Sequence, residues 1–87
     1  MPLRFDEGNV VFEGACMVEE ALGLAEHWRA VPPGVADLSA CTYLHTALLQ
    51  VIAAATPAMV VAPADPRLAR WIMPVLSPAS PPGRSLS

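Results

Sequence analysis

Eighty-seven residues can close one hydrophobic core and have no room for a second. A hydrophobic fraction of 54% and a mean hydropathy of +0.45 exclude disorder along most of the chain. The net charge is −3, and the cations are five arginines scattered at positions 4, 29, 67, 70 and 84, so no basic stripe is available for nucleic acid.

The segment from Leu3 to Gly14 reads as two short strands around an Asp6-Glu7-Gly8-Asn9 turn, with Gly8 expected to supply the positive φ. From Met17 to Ala30, apolar residues recur at 17, 18, 21, 22, 24, 25 and 28, which is the amphipathic helical period. Glu19 and Glu20 in its first turn and Arg29 in its last suit the helix dipole, and Pro32-Pro33-Gly34 stops it. Val35 to Leu38 reads as a short strand and Ser39 to Thr42 as a turn. A second helix follows from about Thr46 to Ala55, apolar nearly all round.

Ala58 to Ala62 reads as a buried strand. Asp65-Pro66 then offers an N-cap and a proline at the first helical position, opening a third helix over about 65–75 that Pro74 closes. The last eleven residues, 77–87, are rich in proline and serine with a single large apolar residue, and are expected to form a disordered tail after a domain spanning 1–76. This order predicts an α/β fold, a small mixed sheet in which an N-terminal antiparallel hairpin joins parallel strands carrying about three helices. Leu22, Trp28, Leu48, Ile52, Val60 and Ile72 are the expected core. Functional groups in such sheets gather at the carboxyl ends of the parallel strands, which here means Asp37 to Thr46 and Pro63 to Pro66.

The stretch Val35-Ala36-Asp37-Leu38-Ser39-Ala40-Cys41-Thr42-Tyr43-Leu44-His45-Thr46-Ala47-Leu48-Leu49-Gln50 resembles the motif of STAS domains, the bacterial anti-sigma factor antagonists and the related domains of sulphate transporters. Asp37 and Leu38 match the end of that family's central strand, Thr46 falls at its phosphorylatable serine, and Ala47 at a small-residue position. His45 stands for the family's Asp and Leu48 for its Gly. The resemblance implies a regulatory, non-enzymatic module that binds a kinase-type anti-sigma factor or similar protein, with Thr46 as phospho-acceptor. Its contact residues would be Asp37, Ser39, Tyr43, Leu44, His45, Thr46, Ala47 and Leu49.

Each candidate also has a structural reading. Capping alone explains a hydroxyl at Thr46, so the helix N-cap is the favoured reading there, as is a carboxylate satisfying loop N–H groups at Asp37. Cys16, His27, Cys41 and His45 show no metal-ligand spacing, the five glycines form no phosphate loop, and no cofactor is expected. An alternative function is structural, a fold of the same kind that self-associates or scaffolds a complex without a switch. A small enzyme would rest on Cys41, His45 and Asp37 alone. No apolar run reaches the ~20 residues of a bilayer span and Met1 to Asp6 lacks signal-peptide features, so a cytoplasmic protein away from membranes is expected. Between Ala30 and Ala64 the one formally charged residue is Asp37. An exposed apolar patch around Tyr43, Leu44 and Leu49 is therefore expected as the partner or dimer surface, tolerant of Glu at Leu44 or Leu49.

Overall fold

A computed structural model describes residues 2–76, so the expected disorder of 77–87 lies outside the described residues. The elements run β1 (Leu3–Asp6), β2 (Asn9–Cys16), α1 (Glu19–Ala30), β3 (Val35–Leu44), α2 (Thr46–Ala55), β4 (Met59–Val61) and α3 (Pro66–Leu76). The sheet order is β1-β2-β3-β4, with β1 antiparallel to β2 and the other pairs parallel. This is the mixed α/β sheet with three helices that the chain's patterning predicts.

The two crossovers, β2 to β3 and β3 to β4, step the same way across the sheet. With a single hand of crossover, α1 and α2 land on the same face. α1 packs on α2, α2 packs on α3, and the molecule is 18 Å across its shortest axis, so helices form one layer and the sheet the other. The core between them holds Val10, Phe12, Leu24, Trp28, Leu38, Leu44, Leu48, Ile52 and Ile72.

The β1–β2 turn is tied down at Gly8, whose carbonyl accepts the Trp28 indole N–H at 2.8 Å and the Gly34 amide at 2.8 Å. His27 bonds the Glu7 carbonyl and lies over Phe5, with ring centroids 4.4 Å apart. The residue with positive φ in this turn is Glu7, at 54°, and not Gly8. Glycine is needed at Gly8 for another reason: a Cβ there would meet the Pro32 carbonyl oxygen at 2.1 Å.

Ser39 to Thr42 is strand and not a turn, because β3 continues to Leu44. From the Val10–Ala36 pair to the Cys16–Leu44 pair, β2 advances six residues and β3 eight, so two extra residues sit as bulges in β3. They let Leu38, Cys41 and Leu44, three apart, all face the helices, and Gly14 (φ 66°) bends β2 alongside.

Of the expected core, Trp28, Leu48, Ile52 and Ile72 are buried and Val60 packs partly against them, but Leu22 is 68% exposed. The buried face of α1 is centred on Leu24 and Trp28, and Leu22, two positions from Leu24, projects away from it. Leu44 and Leu49 are core residues, 1% and 6% exposed, which overturns the expected patch; only Tyr43 of the three is on the surface. α3 continues two residues past Pro74. Pro74 leaves the Arg70 carbonyl without its helical partner, and both residues lie on the exposed face, where water can serve instead.

Leu48→Ala is expected to cost about 2–5 kcal/mol in chemical denaturation, since it empties a fully buried position. Leu44→Glu is expected to unfold the domain, seen as loss of the circular dichroism signal, because a charge there has no partner.

Candidate functional site

The carboxyl ends of β2 and β3 meet where α1 and α2 begin. There the His45 amide donates to the Cys16 carbonyl at 3.0 Å, holding the β2–α1 loop beside the start of α2. His45, in extended conformation (φ −65°, ψ 144°), is the N-cap of α2, and its Nδ1 accepts the Ala47 amide at 3.0 Å. The ring nitrogen thereby takes the place of the side-chain oxygen that usually caps a helix. Thr46 is therefore the first residue of the helix and not its cap. Its side chain is free of the capping role and it is exposed.

Exposed apolar side chains occur near the end of β3 at Tyr43, 45% exposed, and in the β2–α1 loop at Met17 and Val18, 44% and 48% exposed. Met17 and Val18 follow directly on Cys16 and carry an apolar surface that periodicity alone assigned to the start of a buried helix face. The signal in the sequence was the pair of glutamates, Glu19 and Glu20, which mark the first turn and leave residues 17 and 18 before it.

Asp37 and Ser39 are elsewhere. Because β3 runs on to Leu44, Asp37 is separated from His45 by more than about 20 Å of strand at ~3.3 Å per residue. Asp37 Oδ1 accepts the Ser39 amide at 2.9 Å and the Ser39 hydroxyl at 2.7 Å, closing the first bulge. The Ser39 hydroxyl, followed by its amide, holds the Asp37 carboxyl below its ordinary value of 3.8. The Ser39 carbonyl receives the Ala64 amide at 3.3 Å, and Asp65 Oδ1 caps α3 by accepting the Arg67 amide at 2.9 Å, as Asp65-Pro66 predicts. Ala47 is half-buried, while Leu44 and Leu49 face the core, so of the eight expected contact residues only Tyr43, His45, Thr46 and Ala47 cluster.

Cys41 is 2% exposed, its Sγ donates to the Tyr43 carbonyl at 3.2 Å, and burial pushes its thiol upward. Cys16 is fully buried, and burial, then the neighbouring Cys41, pushes its thiol up to about 12. Both are protonated and shielded at neutral pH, the opposite of an activated nucleophile. Among the described residues, no group of three or more His, Cys, Asp or Glu converges on a point that could hold a metal. No described helix is long and apolar enough to cross a membrane. An apolar cavity of about 160 Å³ between Ile52, Thr56, Val60 and Val75 lies at the far end of α2 from Thr46 and contains no titratable side chain.

His45→Ala is expected to destabilise the fold by about 1 kcal/mol, the ordinary value of a lost N-cap, in urea titration. Asp37→Ala is expected to cost about 1 kcal/mol at neutral pH. A carboxyl with a depressed folded value contributes above its unfolded value and loses that contribution as pH falls through the folded one. The gap between wild type and Asp37→Ala should therefore close below the ordinary value of 3.8, as followed by denaturation across an acid series.

Compared with family models, with curated proteins and with solved structures, the chain matches none.

Proposed function

We propose that the chain is a non-enzymatic regulatory module that binds another protein through the β3–α2 junction, with Thr46 as the residue whose phosphorylation switches binding. The observation that carries this reading is an exposed threonine at the first position of α2, free of the cap, at a junction that the His45–Cys16 hydrogen bond ties to the β2–α1 loop with its exposed Met17 and Val18. Exposed apolar side chains grouped at one edge are what a protein partner covers. A phosphate on Thr46 would add charge at the positive end of the helix dipole, where it is tolerated, while interrupting that apolar contact. The resemblance of residues 35–50 to anti-sigma factor antagonists points to the same edge and to a kinase-type anti-sigma factor or similar protein as partner.

A second reading is an assembly protein without the switch. It is favoured by His45 and Leu48 in place of the family's Asp and Gly, since His45 is committed to the cap and Leu48 is 0% exposed.

The two readings separate in one experiment. The full chain is immobilised, exposed to extract of its source cells with ATP, and both retained proteins and phosphorylated residues are identified by mass spectrometry. The switch reading expects phosphate on Thr46, and a partner that is lost with Tyr43→Glu and Thr46→Glu but kept with Thr46→Ala. A retained partner indifferent to all three variants, with no phosphate on Thr46, would overturn it.

A further inference from the structure

The sheet has a second face that no described helix covers. Parallel strands are ordinarily buried on both faces, yet here β2, β3 and β4 carry helices on one side only. The register places Arg4, Val11, Asp37 and Val61 in one row across the uncovered side, with Val35 and Met59 beside it toward the amino ends of β3 and β4. None of these six is buried, and Met59 is 58% exposed.

The order of that row contains its own complement. Val11 on β2 is flanked by a cation on β1 and an anion on β3. Turning an identical face about a twofold axis along β2 stacks Val11 on Val11, and brings Arg4 of each copy over Asp37 of the other. We propose that the uncovered face is the interface between two copies of this chain, joined by this reciprocal pair of Arg4–Asp37 contacts. A twofold contact is self-complementary by construction, and this row meets that requirement with both charges satisfied. Arg4 lies 3.8 Å from Glu13 of its own chain, which shares the uncovered face of β2, so in the dimer each Arg4 stands between that Glu13 and the partner's Asp37 and offsets both carboxylates. Asp37, fixed by Ser39, is the rigid half of the pair.

The superposed strands are ~4.8 Å apart, with β2 contributing about 26 Å and the four-residue β1 limiting each outer pair to about 13 Å, which gives a flat footprint of roughly 250 Å² per copy. That is the size of a weak, concentration-dependent contact and not of an obligate dimer. The surface is separate from the Thr46 edge and does not rest on the partner-binding reading.

The test is sedimentation velocity of the full chain over a concentration series reaching the millimolar range. Wild type is expected to move from monomer to dimer. Val11→Lys and Arg4→Glu, both surface changes, are each expected to raise the dimer dissociation constant at least tenfold with an unchanged circular dichroism spectrum. Mixing Arg4→Glu with Asp37→Lys should restore a dimer that neither forms alone, read as a heterodimer by native mass spectrometry. If Asp37→Lys fails to fold, the first two variants carry the test. A wild type that stays monomeric throughout overturns the proposal and leaves the face to a different protein. A dimer unmoved by Val11→Lys and Arg4→Glu overturns it as well.

Discussion

The fold turns on how β3 places Leu38, Cys41 and Leu44 in the core. A strand alternates faces every residue, so positions three apart fall on opposite sides. Two bulges remove the conflict, each absorbing one residue of β3 that β2 does not match. Asp37 and Ser39 build the first bulge through two hydrogen bonds. Gly14, in the left-handed region beside Cys41, supplies a bend that a side chain would resist. A regular β3 would turn Cys41 into solvent or swing Leu44 off the helices, and α2 would begin in the wrong place.

Because the strand reaches Leu44 with its side chain inward, the next residue leaves the sheet directly over the start of α2. His45 makes that exit sharp by donating its amide to the end of β2 and accepting the Ala47 amide with its ring. The same step separates two roles that a single residue often combines. His45 holds the helix, and Thr46 is left exposed at its first position. The cap thus creates the free hydroxyl on which the regulatory reading depends.

The two-layer arrangement explains where the remaining apolar surface goes. One layer of helices covers one face of the sheet, so valines that a doubly covered parallel sheet would bury stay accessible at Val11, Val35 and Val61. The cysteines lie inside, between the layers, where burial keeps both thiols protonated. The two proposed recognition surfaces, the Thr46 edge and the uncovered sheet face, both lie outside that core.

Local sequence determined the elements whose signals act over a few residues. Apolar spacing and the Glu19-Glu20 and Pro32-Pro33-Gly34 boundaries specify α1, Asp65-Pro66 specifies the start of α3, and the succession of strands and helices specifies a mixed sheet. The bounds of α2 were also legible, since its apolar run opens at Thr46 and stops before Thr56-Pro57. What only tertiary structure decided is which apolar residues are core. Leu22 and Leu24 are equally apolar, and the direction of α1 against the sheet chooses between them. Leu44 and Leu49 are inside because β3 bulges twice, a matter of pairing with β2 that no local spacing encodes. Whether Asp37 and Thr46 share a site depended on the length of β3, and hydrogen bonding along the neighbouring strand carried that length through a stretch whose composition reads as a turn.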